Sequence, residues 1–307
     1  MKIAILSRNI HLYSTNSLYR AAYRKGHRVE VIDHTRCNLL IEKGKPQVYF
    51  EGRSLNAFDA IIPRIGASVT AYGAAVIEQF ELMKVFTSVK SSALRQSRDK
   101  LQSLQKIATA GLDVPKSFIV NSTVDTASML AMLPEGPVVI KLLESTHGAG
   151  VILAETHQSA ISIIEAFSKS GHKVLVQEFI EEAGGADIRA IVVGNQVVAS
   201  MKRQAAEGEF RSNLHRGASA IPIQLSEEDQ LIVKKAAKVM GLDVAGVDLL
   251  PSARGPLVME VNASPGLEGI ETTTNINVAG EIIEFVARKS YKMKSYKHQP
   301  FSKARRW

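Results

Sequence analysis

The chain has 307 residues, of which 45% are hydrophobic and 22% charged, a balance that supplies real cores and excludes both a single small module and a chain disordered throughout. Its formal net charge of +8 has one source, because Arg288, Lys289, Lys292, Lys294, Lys297, Lys303, Arg305 and Arg306 fall in a closing stretch with no acid, and without them 30 basic residues face 30 acidic ones. A nucleic-acid-binding body is thereby excluded as the origin of the charge, and the longest apolar runs, such as Val138 to Ile140, are far too short to cross a bilayer.

Met1 to Leu6 is also too short for the apolar core of a signal peptide and is followed at once by Ser7, Arg8 and Asn9, so a cytoplasmic protein with no membrane contact is expected. Cys37 is the only cysteine, which excludes an intramolecular disulfide and a cysteine-based metal cluster.

In chain order, Lys2 to Leu6, Arg28 to Ile32 and Ala60 to Ile65 read as strands, and Ser17 to Lys25 and Tyr72 to Phe86 as helices. That alternation predicts a Rossmann-like βαβ layer over residues 1–95. No Gly-x-Gly-x-x-Gly turn follows a strand, so dinucleotide binding is not supported, and Lys116 stands where a phosphate loop from Gly111 needs its second glycine. A second unit, 96–180, opens with a helix in which Leu101, Leu104, Ile107 and Ala108 share a face and Gly111 supplies a stop. Strands Pro137 to Leu143, Val151 to Ala154 and Val174 to Phe179 follow, with a helix over Ser159 to Phe167. A third unit, 181–287, opens with a hairpin, Ile188 to Val193 and Gln196 to Met201, around Gly194-Asn195. The capping-type Ser226-Glu227-Glu228-Asp229 starts a helix to Met240, and a second hairpin joins Val244 to Leu250 with Pro256 to Val261. Residues 288–307 read as a disordered basic tail. Its cations and Tyr291, Tyr296, Phe301 and Trp307 make it a candidate for weak RNA contact, against the plainer reading of a solvated end.

The second hairpin carries the strongest chemical signal. Pairing Leu250 with Pro256 sets Asp248 opposite Val258 and on one face with Glu260 and Asn262, while Val247, Leu249, Met259 and Val261 point into a core. Two carboxylates and an amide oxygen suit Mg²⁺, which takes one or two protein carboxylates and completes its shell with water and phosphate. The facing positions show no Lys or Arg to neutralise the acids, and an ordinary solvated strand face is the alternative.

Lys141 interrupts an otherwise apolar strand, where an ammonium needs an anion, such as a phosphate, unless the strand is an edge. Ser145 to Gly150 offers a flexible phosphate cover or a plain turn, and Lys100 a phosphate contact or a surface lysine. In the first hairpin, pairing Val193 with Gln196 sets Arg189 opposite Ser200 and Asp187 opposite Lys202. Phe210 to Gly217 holds Arg211, His215 and Arg216 with no acid, which suits phosphate or carboxylate recognition as well as a solvated loop. His147 and His215 have no second histidine at ligand spacing.

Taken together, Pro63 to Gly66, Arg98 to Lys100, Gln177 to Ile180, Phe210 to Gly217, Val244 to Asp248 and Met259 to Gly269 resemble the ATP-grasp ligases, and within them the RimK-type ribosomal protein modification glutamate ligases, from Met1 to about Ala287. The resemblance implies an α/β (α+β) ATP-grasp fold with an N-terminal Rossmann-like domain and ATP gripped between the second and third units. It implies that Lys100 and Lys141 touch phosphates or adenine, that the span holding Gln177, Glu178, Phe179, Ile180 and Asp187 lines adenine and ribose, and that Arg211, Ser212 and Asn213 reach the phosphates. Asp248, Glu260 and Asn262 match its metal positions, for Mg²⁺ or Mn²⁺. Ser145, His147 and Ala149 depart from the family's usual loop.

The activity implied is an ATP-dependent carboxylate-amine ligation adding L-glutamate through α-peptide bonds to the C-terminus of a small-subunit ribosomal protein by way of an acyl phosphate. Arg189, Arg211 and Arg216 are candidates to hold the tetrahedral intermediate. A homo-oligomer is expected. Two alternatives stand: a ligase for another amino acid or for a small-molecule or carrier-protein acceptor, and a ribosome- or RNA-binding protein with a vestigial ligase site.

Overall fold

A computed structural model describes residues 1–143, 150–214 and 217–297 of the chain, which form two compact units. The first takes residues 1–94, 266–268 and the chain from 277 onward; the second takes 95–265 and 269–276.

In the first unit β1 (Lys2–Leu6), α1 (Tyr13–Arg24), β2 (Arg28–Ile32), β3 (Asn38–Leu40), β4 (Gln47–Phe50), β5 (Arg53–Ser54), β6 (Ala60–Pro63), α2 (Thr70–Leu82) and β7 (Phe86–Thr87) follow in order. The main sheet is parallel, in the order β2-β1-β6-β7, as the βαβ alternation predicts. Its central strand is continuously apolar, with Ile3 to Leu6 fully buried, as strands covered on both faces must be. The small antiparallel sheet β3-β4-β5 was not expected, since its strands are only two to four residues long.

Then come α3 (Ser91–Arg98) and the elements of the second unit: α4 (Lys100–Thr109), β8 (Ser117–Val120), α5 (Thr126–Leu130), β9 (Val138–Leu142), β10 (Val151–Ala154), α6 (His157–Lys169) and β11 (Val174–Glu178). They are followed by β12 (Ala186–Val193), β13 (Gln196–Gln204), β14 (Ser219–Pro222), α7 (Glu227–Val239), β15 (Val244–Leu250), β16 (Leu257–Asn262) and α8 (Glu268–Thr274). Two antiparallel sheets result, β10-β9-β11-β8 and β14-β13-β12-β15-β16. The first covers a core of Val138, Ile140, Ile164, Val174 and Val176 beneath α5 and α6. Local chemistry sets the helix starts: Asp99 accepts the Gln102 amide at 3.0 Å and so places Lys100 in the first turn of α4, and Ser226 accepts that of Asp229 at 3.0 Å.

Both hairpin registers differ from the simple count. On β13 a bulge interrupts the ladder, so that Val192 pairs with Val197 but Ile191 with Ala199, and beyond it Arg189 opposes Met201 and Asp187 opposes Arg203, not Ser200 and Lys202. On β16 Leu250 pairs with Leu257 and Leu249 with Val258, and a second irregularity then sets Asp248 opposite Glu260 rather than Val258.

The closing helix α9 (Val278–Lys297) belongs to the first unit and packs on α1. The expectation of an irregular tail from Arg288 therefore fails as far as Lys297. Ser290 is buried and donates to the Asp59 carbonyl at 3.0 Å, which ties the helix down within the basic stretch. Residues 298–307 lie outside the described residues.

Candidate active site

The site is built on β15 and β16. Their register puts Asp248 directly across from Glu260 and Gly246 across from Asn262, so the three candidate metal ligands share one face while Val247, Leu249, Val258 and Val261 fill the core behind them. Gly246 is needed here because a Cβ would lie 2.8 Å from Cβ of Pro265, which closes over the strand.

The acids are not left without cations, contrary to the sequence expectation. Arg189 donates to Asp248 through Nε at 2.7 Å and Nη2 at 2.5 Å, and Arg203 adds an Nη2 contact at 3.1 Å. Arg203 also forks onto Asp187, with Nε to Oδ1 at 2.6 Å and Nη2 to Oδ2. Four side chains thus alternate in charge across three neighbouring strands, with Asp187, Arg203 and Asp248 each less than 5% exposed. Burial opposes ionisation of Asp248, but the two guanidiniums win and hold its carboxyl at about 2. Asp187 is pushed upward, by burial first and then by the charge of Asp248, against the hydrogen bonds of Arg203 and Ser212. Burial likewise works against Arg203, yet its two carboxylate partners raise it above the ordinary guanidinium range.

Glu260 stands apart, exposed, at the centre of a different cluster. Lys141 is on β9, between β10 and β11, so the edge-strand explanation fails. Its Nζ donates to Gln177 Oε1 at 2.7 Å, and burial lowers its pKa to about 8, with Glu260 opposing the shift and Lys100 adding to it. Burial also lowers Lys100, whose Nζ donates to the Leu143 carbonyl at 2.9 Å, and Arg98 at the end of α3, again with Glu260 opposing. Three cations therefore look to one carboxylate. α4 packs against β16, which is how the helix brings Lys100 toward it.

The remaining candidates divide. Gln177 is buried between Lys141 and Ser117, whose hydroxyl accepts from its Nε2 at 2.8 Å. Glu178 is buried and bonded to the Lys116 amide at 2.7 Å and to Arg254. Ile180 packs with Ala183 and Leu257, so its side chain belongs to a core rather than to an open adenine slot. Phe179 remains partly exposed and meets Phe210 edge to face, centroids 6.4 Å apart. Arg211 is clamped by Glu209, Nε to Oε1 at 2.9 Å and Nη2 to Oε2 at 2.7 Å, and the pair holds Glu209 at about 2. Glu209 immediately precedes the acid-free stretch Phe210 to Gly217. Ser212 and Asn213 follow in a segment without regular secondary structure, while His215, Arg216 and the loop 144–149 lie outside the described residues. Gly150, at the loop's end, has φ +67° and would press a Cβ to 2.6 Å from Leu142, so glycine is required there.

Among the described residues no group of three His, Cys, Asp or Glu side chains could hold a metal ion. The donor set instead fits a hard divalent ion at two carboxylates and an amide, with water and phosphate completing the shell. Lys100, Lys141 and Arg189 are candidates from the sequence alone, whereas Arg203 becomes the partner of Asp187 only in the bulged register. Among the described residues no helix is long and apolar enough to cross a membrane.

Comparison with known proteins gives a consistent picture. Residues 1–94 match the model of the RimK PreATP-grasp domain and residues 97–286 that of the RimK-like ATP-grasp domain. Proteins named probable alpha-L-glutamate ligase from Azotobacter vinelandii and Aliivibrio salmonicida are each 55% identical over 290 residues, which is 94% of this chain and 96% of theirs. Among solved structures, the ATP-grasp ligase PsnB complexed with minimal precursor, Mg and ADP superposes with a TM-score of 0.74 at 21% identity, covering 94% of this chain and 98% of that one. A RimK domain protein from Sphaerobacter thermophilus gives 0.69 at 20% identity over 94% and 100% of the two chains.

Proposed function

The chain belongs to the RimK-like ATP-grasp family and is a ligase, and from that premise we propose that it uses ATP and Mg²⁺ to add L-glutamate, through α-peptide bonds, to the C-terminus of a small-subunit ribosomal protein. The observation that carries the reading is the shared face of Asp248, Glu260 and Asn262 on β15 and β16, with Arg98, Lys100 and Lys141 each within the electrostatic reach of Glu260. With Arg189 and Arg203 they make five cations against the three carboxylates Asp187, Asp248 and Glu260, an excess suited to a triphosphate that remains anionic after binding one divalent ion. Residues 96–180 and 181–287 serve as the two halves of the grip. Glutamate is supported by the names of the relatives, and a peptide acceptor by the precursor bound to PsnB.

A carboxylate is a poor acyl donor, so the acceptor's terminal carboxylate first takes the γ-phosphoryl group of ATP, releasing ADP and giving an acyl phosphate; the glutamate amine then attacks the acyl carbon, expels phosphate and loses a proton to leave the amide. A divalent ion at Asp248, Glu260 and Asn262 supplies neutralisation of phosphate charge when bound. Lys100 and Lys141 position the phosphates and resist their mutual repulsion. Arg189 and Arg211 hold the negative oxygen of the addition intermediate, each by exchanging its present carboxylate partner for the substrate, and Arg216 shares that role. Asp187, fixed by Arg203, meets the nucleotide sugar.

The test is incubation with ATP, Mg²⁺, each amino acid in turn and a peptide ending in the candidate acceptor's C-terminal sequence, followed by mass spectrometry. Increments of one glutamate residue, only with glutamate, support the reading; phosphate release with a different amino acid points to another ligase of the same fold. RNA affinity without ligation would favour the binding-protein alternative.

A further inference from the structure

Asp248 has little acceptor capacity left for a metal ion. Its two oxygens accept three N–H bonds, two from Arg189 and one from Arg203, out of about four acceptor positions on a carboxylate. A hard divalent ion bonds such an oxygen at about 2.0–2.1 Å, a distance that competes directly with a forked guanidinium for the same lone pairs.

The two arginines are not equivalent. The Arg203 side chain is 5% exposed and spans both Asp187 and Asp248, so losing it would strand two buried carboxylates. The Arg189 side chain is 20% exposed, and among the described residues its ion pair is with Asp248 alone. Arg189 is the partner Asp248 can release at lower cost.

We propose that Arg189 and the divalent ion are exchange partners on Asp248, with Arg203 as the fixed positioning residue. Arrival of the ion displaces the Arg189 fork and turns a guanidinium that was neutralising a carboxylate into one free to hold the anion formed in the reaction. The enzyme thereby withholds its anion-binding arginine until the metal is seated. This rests on the reading of Asp248 as a metal ligand, and it makes the two arginines act with opposite sign on ion binding: Arg189 competes with the ion, while Arg203 keeps its ligand in place.

Arginine Nε–H resonances of the full-length protein, with the Arg189 signal assigned by its loss in Arg189→Lys, test the exchange directly. On adding Mg²⁺ and a non-hydrolysable ATP analogue, the Arg189 signal should move to the position and fast solvent exchange of a free guanidinium while that of Arg203 stays. In parallel, Mn²⁺ binding measured by electron paramagnetic resonance should tighten about tenfold in Arg189→Gln, the worth of a charged hydrogen bond removed from competition. In Arg203→Lys it should weaken; if that variant does not fold, the resonances and Arg189→Gln decide. An Arg189 signal that stays put while Mn²⁺ binds, or unchanged Mn²⁺ affinity in Arg189→Gln, overturns the exchange and leaves the metal site standing. No Mn²⁺ bound by the wild type, with or without the analogue, overturns the metal site and the exchange together.

Discussion

Asp248 and Glu260 face each other across the β15–β16 pair, yet one is 2% exposed and locked between two arginines while the other is exposed and serves three distant cations. On the proposed metal reading, the division would separate an ion's anchor from its approach. Because Glu260 carries little of the core, Glu260→Gln should keep the melting temperature within the error of the wild type while lowering glutamate-dependent ADP release by about a hundredfold or more, the scale seen when a metal's surroundings are disturbed. Thermal melting and steady-state ADP release on the same sample check both halves.

Lys141 gives the site a pH signature. Its pKa of about 8 lies below the ordinary lysine value of 10.5, so between those limits the unfolded chain binds more protons than the empty folded one, and this group makes stability rise with pH across the window. A bound phosphate favours the charged form and restores the proton. ATP binding near pH 9 should therefore take up protons, seen as a dependence of the calorimetric heat on the ionisation enthalpy of the buffer. Lys141→Arg, whose guanidinium stays charged, should bind without that uptake, and Lys141→Met should lose nucleotide affinity without losing stability.

The Asp187–Arg203 pair should behave as a buried unit. Arg203→Met leaves Asp187 without its fork, and urea denaturation should show a loss of about 3 kcal/mol. Adding Asp187→Leu should recover part of that loss, because the double variant buries no stranded charge. A double variant whose loss equals the sum of the two single losses would show the pair to be uncoupled.

Gly246→Ala tests the packing behind the proposed metal face. Its Cβ would meet Pro265 at 2.8 Å, between backbone and ring with no flexible side chain to yield, so a cost of about 1–3 kcal/mol is expected together with displaced β16 ligands. Weaker Mn²⁺ binding by the folded variant would report the displacement.

Much of this was legible in the chain and some of it was not, for reasons that can be named. The parallel sheet of the first unit, β15 and the start of α7 follow from apolar runs and from the Ser226 cap, which act over a few residues. The shared face of Asp248, Glu260 and Asn262 survived a wrong register only because the irregularity beside Asp248 moved its partner from Val258 to Glu260, two positions on and so on the same face. The same kind of irregularity on β13 exchanged Lys202 for Arg203 as the partner of Asp187, which hid the buried network, since a one-residue slip reverses every facing pair beyond it. Tertiary packing alone brings Arg98 and Lys100 to Glu260, and no local pattern announces that.

The most direct test of the account is anomalous scattering from Mn²⁺ in crystals grown with a non-hydrolysable ATP analogue. A peak bonded by Asp248, Glu260 and Asn262, with the terminal phosphates on its far side and Lys100 and Lys141 against them, is the predicted result. A peak held by other residues, with these three side chains turned away from the nucleotide, would contradict it.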